Sequence, residues 1–340
     1  MIDTLSKVPA IPHPPMNEAV ADEKLTRDRF DLQSLLAKAD HRFLAGDHRG
    51  ASGFYAFIAK SFDDSAEVRR AAQMANWLAE RFRHHIVSGV EQAGFPRQDW
   101  PPRFREALEI MFGERERDLV TERFPQMPRL FFYPGLPYID FADVTQFAWR
   151  LELESRYREL RDEAAALLAD TSDFSPYVRR SSEYPQGDVY GLVENSSWSS
   201  LYLWQSGRPV DENVARCPRT FEAMTDIVPQ CDIGEKFPSV LFSLLKPGAH
   251  IPPHNGMLNI QYICHLPLIV PPNCTFRVGE RTVEWQEGKM LTFDDTVEHE
   301  ARNESSEDRL ILLFYIWNPF LSDEERSIVR TMLEVVHDYR

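Results

Sequence analysis

The chain has 340 residues, of which 43% are hydrophobic and 12% aromatic, enough for a substantial buried core and for two domains. A formal net charge of -15 at pH 7 argues against nucleic-acid binding, because the protein has no surplus of cations to replace the counterions of a phosphate backbone. Four cysteines, Cys217, Cys231, Cys264 and Cys274, form no CxxC pair, and they read as reduced thiols of a cytoplasmic protein. No apolar run reaches membrane-spanning length, and the opening "MIDTLSKVPAIPHPPMNEA" has no signal-like apolar region.

Residues 1–30 read as a flexible N-terminal segment, and residues 31–180 as a helical, tetratricopeptide-like region. Leu35, Leu36, Ala39, Phe43 and Leu44 fall at helical spacing, the pattern breaks at Gly46-Asp47, and Ala51, Phe54, Tyr55 and Ile58 resume it. Such a helix–turn–helix with small residues facing aromatics resembles one tetratricopeptide hairpin, although no clean 34-residue period is present. A helical cap and a peptide-binding array are equally compatible with it. Further helices are expected over about 65–90, 103–122 and 145–169. The Pro- and aromatic-rich stretch 124–141 reads as a packed linker.

From about residue 181 to 340 the texture becomes that of short strands. "SLYLWQ", "VLFSLL", "IQYICHLPLIV", "TFRVG", "RTVEWQ", "KMLTF" and "LILLFYIW" are rich in β-branched and aromatic residues and are separated by Pro, Gly and Asp. Gly279-Glu280 marks a hairpin turn. Seven or more such strands predict a double-stranded β-helix, that is, a jelly-roll of the cupin type, making the whole chain α+β.

His250, His254, His265 and His299 lie in this half. Gly256 stands two residues after His254, where a 2-His-1-carboxylate iron site would carry Asp or Glu. On the residues alone, a metal site and an ordinary turn both remain open. Arg309 starts the apolar strand "RLILLFYIW", where a buried guanidinium needs an anion; a surface ion pair is the plainer alternative.

The blocks "LWQSGR", "CPRT", "SLLKPGAHIPPHNG", "HLPLIVP", "EGKMLTFDDTVEHE" and "RLILLFYIWNP" resemble the aspartyl/asparaginyl β-hydroxylases, a family of Fe(II)- and 2-oxoglutarate-dependent oxygenases, over about residues 190–325. That family holds iron with two histidines and has glycine at the carboxylate position. The resemblance implies that His254 and His299 are the catalytic metal ligands. It implies that Ser243 and Arg309 hold the distal carboxylate of 2-oxoglutarate and that His265 approaches its other end. Some relatives carry Arg where this chain has Ile263, so Gln261, on the same strand face, is expected to make a weaker contact there. Asp294 or Asp295 would orient a water or His299, with a turn-forming role as the alternative. Arg208 and Trp204 are candidate substrate contacts; a surface role is equally open for Arg208, and core packing is the default for Trp204.

The implied reaction uses O2 and 2-oxoglutarate, releases succinate and CO2, and hydroxylates an unactivated carbon. The expected substrate is an Asp, Asn or related carboxylate-bearing group in a peptide, a protein or a small molecule. The alternatives are a natural-product or lipid substrate, and an inactive oxygenase fold serving as a peptide-binding module.

Overall fold

The computed structural model describes residues 13–118, 122–187, 190–233 and 238–339. It contains two compact units: residues 1–99, 180–188 and 331–340 form one, and residues 100–179 and 189–330 form the other. The division expected near residue 180 is therefore replaced by one in which the helices after residue 99 belong with the sheets. Two later stretches return to the first unit. Chain position alone could not show this, because the grouping depends on non-local contacts.

In the first unit, helices α1 (Glu18–Arg27), α2 (Leu32–Leu44), α3 (His48–Ser61) and α4 (Ala66–Gln92) follow one another through short turns. Asn17, Asp31, Asp47 and Ser65 cap their N-termini, each side chain accepting a backbone N–H. The predicted break is real: Gly46 has φ +80°, a conformation glycine adopts without a Cβ penalty, and Asp47 then starts α3. Leu35, Ala39, Phe43, Ala51, Phe54, Tyr55 and Ile58 pack with Val68, Met74 and Leu78, whereas Leu44 is 59% exposed. Because α1 is a capped helix, the expected flexible N-terminal segment does not extend to residue 30; residues 1–12 lie outside the described residues.

The second unit begins with α5 (Pro102–Met111), shorter than the predicted 103–122 because Gly113 at φ +72° closes a turn. Helices α6 (Arg150–Ser155), α7 (Tyr157–Ala169), α8 (Asp211–Arg216) and α9 (Pro218–Asp226) flank the sheets, and α10 (Asp323–Asp338) ends the chain. The strands are β1 (Ser175–Pro176), β2 (Trp198–Gln205), β3 (Arg208–Pro209), β4 (Val240–Leu245), β5 (His250–His254), β6 (Gln261–Ile269), β7 (Cys274–Val278), β8 (Arg281–Glu284), β9 (Leu291–Phe293), β10 (His299–Asn303) and β11 (Arg309–Trp317).

The strands form an antiparallel large sheet ordered β1-β2-β4-β11-β6-β9, with β3 beside β2, and a small sheet ordered β5-β10-β7-β8. Apart from the β7–β8 hairpin within the small sheet, the chain from β4 to β11 passes back and forth between the two, which is the double-stranded β-helix expected from the sequence. Side chains from both sheets, among them Leu241, Ile251, Ile263, Phe276, Phe293, Ala301 and Leu313, share one interior cluster. The opposite face of the large sheet carries Tyr262, Cys264, Leu312 and Phe314 and packs on α7 and α9. Strands β4, β6 and β11 are therefore covered on both faces, which explains their unbroken apolar sequence. The predicted linker is packed as expected: Phe131 bridges Leu258 and Phe141 bridges Phe293.

Candidate active site

Strands β5 and β10 are neighbours, with His299 directly opposite His254, so the two side chains leave the same face of the small sheet. Their ring centroids are 4.1 Å apart. The Nδ1 of His254 lies 2.8 Å from the Pro252 carbonyl and that of His299 3.0 Å from the Val297 carbonyl. A carbonyl only accepts, so each Nδ1 carries the hydrogen and each Nε2 the lone pair. Burial lowers the pKa of both rings, that of His299 strongly and with help from neighbouring His254. Both are neutral imidazoles, the form that binds metals.

Gly256 lies in the turn after β5, and its surroundings explain the absent side chain. A Cβ at this position would fall 1.9 Å from Oδ2 of Asp295, and the Gly256 N–H donates to the Asp295 carbonyl at 2.6 Å. The space of the missing carboxylate is thus filled by a carboxylate from another strand connection. Asp295 is 5% exposed, its Oδ1 has no hydrogen-bond partner, and burial, then Asp294, push its pKa well up. Asp294 has the other role. Its Oδ1 accepts the Thr296 N–H and hydroxyl, and its Oδ2 accepts from Gln126. Burial raises Asp294 to about 6. Asp294 therefore builds the turn, and Asp295 keeps an oxygen available.

Arg309 is 1% exposed, which removes the surface ion-pair alternative. Its Nη1 is 3.5 Å from the Ser243 carbonyl, its Cζ lies 4.9 Å from the Trp285 ring centroid, and its Nε has no partner. No carboxylate among the described residues pairs with it. Burial lowers its pKa to about 10. Ser243 is buried on β4, across from Ile311 of β11, and its Oγ accepts from Trp198 Nε1 at 3.2 Å. His265 is buried on β6 with Trp285 Nε1 3.4 Å from its Nδ1, and burial, then Arg309, depress its pKa strongly. Gln261 shares that strand face; it is 2% exposed and its Oε1 has no partner. Ile263 between them packs in the interior cluster.

Two predicted substrate contacts are not brought here. Trp204 stacks on Phe221, with ring centroids 4.1 Å apart, in the cluster on the far face of the large sheet. Simple alternation from Trp198 and Tyr202 would have turned it inward, but a register shift between Tyr202 and Trp204 reverses it. Arg208 is exposed on the two-residue β3, paired with Gln205. In their place the structure supplies other aromatic residues, of which Trp198 is a pocket candidate already visible in the sequence. Trp198 lies 6.0 Å from His254, Tyr177 stacks on Trp198 at 4.1 Å, and the partly buried Tyr177 and Tyr315 hydrogen-bond through their hydroxyls. Phe293 and Phe276 wall His299, and Trp285 bridges His265 and Arg309. Tyr177 stands outside the barrel strands and had no sequence signal, whereas Tyr315 could have been found from strand alternation.

Among the described residues no three or more His, Cys, Asp or Glu gather as a metal cluster. A metal here would hold to the protein through two imidazoles. A buried guanidinium without a carboxylate partner, an orphaned carboxyl oxygen and two neutral imidazoles fit a divalent ion that carries an anionic chelator.

Residues 154–319 match the family model described as aspartyl/asparaginyl beta-hydroxylase, a span that includes every strand from β2 to β11. This part of the chain is therefore similar to the aspartyl/asparaginyl β-hydroxylase family. Human aspartyl/asparaginyl beta-hydroxylase is 31% identical over 183 residues, covering 51% of this chain and 22% of that protein. The ornithine lipid ester-linked acyl 2-hydroxylase of Rhizobium tropici is 32% identical, covering 53% of this chain and 61% of its own length. Aspartate beta-hydroxylase domain-containing protein 2 of Xenopus tropicalis is 31% identical, with coverages of 63% and 57%. The chain thus spans about a fifth of the human family member and about three-fifths of the other two.

Proposed function

We propose that the protein is an Fe(II)- and 2-oxoglutarate-dependent dioxygenase that hydroxylates an unactivated carbon. The observation that carries this reading is the pairing of two neutral, oppositely placed histidines with a fully buried arginine that lacks an anion. His254 and His299 would hold the metal through Nε2, their orientation fixed by the carbonyls at Nδ1. When bound, iron with 2-oxoglutarate and O2 supplies the oxidising power for hydroxylation and leaves succinate and CO2.

The chain's own residues hold, orient and exclude water. Arg309 presents its fork to the distal carboxylate, and the Ser243 hydroxyl lies beside the same strands. The Asp295 carboxyl group fills the space beside Gly256, and its free Oδ1 is left to accept a hydrogen bond from a water. Phe276, Phe293 and Trp198 keep the histidines in a low-dielectric wall.

The leading substrate class is an aspartyl, asparaginyl or related carboxylate-bearing group. A second reading, the same chemistry on an acyl or natural-product substrate, is favoured by one observation. Ile263 and Gln261 leave the interior beside His265 without a cation, and Arg309 is the only fully buried cation of the sheet unit among the described residues. One relative of similar identity is named for acyl 2-hydroxylation of a lipid. The test is reconstitution with Fe(II) and 2-oxoglutarate, followed by mass spectrometry of aspartyl peptides, asparaginyl peptides and acyl esters. A gain of one oxygen in step with succinate release supports the reading. A protein that binds no Fe(II) and forms no succinate with any of these panels contradicts it.

A further inference from the structure

The helical unit contains a stretch that is neither helix nor strand: residues 180–186, "RSSEYPQ", which lie on α1–α3 without joining their fold. Their main chain is gripped by arginines. Arg42 of α2 donates from Nη2 to the Ser182 carbonyl at 3.0 Å, and Arg29, in the turn before α2, donates from Nη1 to the Gln186 carbonyl at 3.5 Å. The carboxylate of Asp47 holds Arg42 in place.

Between these two contacts, Tyr184 and Pro185 lie against Gly53 of α3. A Cβ at Gly53 would sit 3.4 Å from the tyrosine ring and 3.7 Å from Pro185 Cδ, so the glycine gives the aromatic–proline step a flat seat. A proline also holds the residue before it extended, which suits a chain read by its carbonyls. The stretch lines a cavity of about 250 Å³ whose other walls are apolar at Leu25, Leu35 and Phe54 and polar at Asp22, Glu23, Thr26 and Arg29. Gln186 lines that cavity, and its buried Oε1 finds no partner. The resident segment therefore fits the groove's main-chain contacts but underfills its apolar wall.

We propose that α1–α3 form a binding groove for an extended peptide with an aromatic–proline pair followed by an apolar residue, and that residues 180–186 occupy it in cis. Arginine contacts to carbonyls hold any extended chain, Gly53 sets the register, and the cavity selects the residue after proline. Because the cis occupant is tethered, its effective concentration is high, and an outside peptide must compete with it.

The test uses fluorescence polarisation with two labelled peptides, SSEYPQG and SSEYPLG, on the full chain. The parent is compared with a variant in which residues 181–186 are replaced by glycine and serine, and with the milder double variant Tyr184→Ala, Pro185→Ala. Circular dichroism checks that each folds; if the first does not, the second carries the comparison. Emptying the groove should tighten peptide binding about tenfold or more relative to the parent. SSEYPLG should bind more tightly than SSEYPQG, and Arg42→Ala or Arg29→Ala in the emptied background should weaken both. Absence of binding to a folded, emptied variant overturns the proposal, as does binding that ignores both arginine substitutions.

Discussion

Lys38 and Asp40 are buried in the helical unit as deeply as Arg309 and Asp295 are in the sheet unit, but their surroundings differ. Lys38 Nζ lies 2.7 Å from Glu18 and 2.9 Å from Asp22, and Asp40 accepts both Arg70 nitrogens and the Tyr55 hydroxyl. Arg309 meets no carboxylate, and one oxygen of Asp295 meets nothing. A buried charge is tolerated when it is neutralised within the fold, and a buried charge left uncompensated is costly. The helical charges are therefore structural. Those of the sheet unit keep capacity for groups that the chain does not itself supply.

The sharpest way to break this contrast is at the histidines. His254→Ala or His299→Ala should abolish succinate formation and weaken Fe(II) binding while leaving the circular dichroism spectrum intact. Parent-like iron binding in either variant would remove that residue from the ligand set. The next effect is structural and belongs to the other unit. Asp40→Ala strands the Arg70 guanidinium and should lower unfolding free energy by about 3–5 kcal/mol in a urea titration, with no effect on 2-oxoglutarate binding. A cost below 1 kcal/mol, as at an exposed pair, would show that this network is not a buried one.

Gly256 offers a smaller and more pointed test. Gly256→Ala drives a methyl into the Asp295 carboxylate and should destabilise by about 1–3 kcal/mol while depressing turnover. Gly256→Asp restores the usual spacing of an iron-binding carboxylate, yet should not raise hydroxylation at saturating iron, because Asp295 already fills that volume. A more active Gly256→Asp enzyme would contradict this reading of the turn. The smallest expected change is in the stability of Arg309→Met. Since no ion pair is lost, its melting temperature should match or exceed the parent's, whereas Asp40→Ala, which strands the largely buried Arg70, should melt lower. Thermal scans of the two variants side by side check the difference in sign.

The large sheet was legible in the sequence because β4, β6 and β11 are covered on both faces and therefore read as continuous apolar runs. The strands that carry the chemistry were not legible as strands. β5 reads His-Ile-Pro-Pro-His, tolerable because it is the edge of the small sheet, and β10 reads His-Glu-Ala-Arg-Asn, half of it facing outward. Their histidines were found from the motif blocks around them. Trp204 takes the core role rather than the substrate contact, because one register shift in β2 turns it to the other face. The carboxylate of Asp295 occupying the space beside Gly256 could not be read from sequence, since it arises only when two separate turns meet. The return of residues 180–188 and 331–340 to the helical unit is hidden for the same reason.

The most direct test of the account is an anaerobic titration of 2-oxoglutarate into the Fe(II)-loaded protein, its Arg309→Lys variant and its Arg309→Ala variant, with melting temperatures recorded in parallel. Arg309→Lys keeps the charge but loses the fork, so affinity should fall measurably. Arg309→Ala should cost about 2–5 kcal/mol of cosubstrate affinity, leaving iron affinity and melting temperature close to the parent's. If Arg309→Ala binds 2-oxoglutarate as the parent does, the buried guanidinium is not waiting for that carboxylate, and the central claim fails.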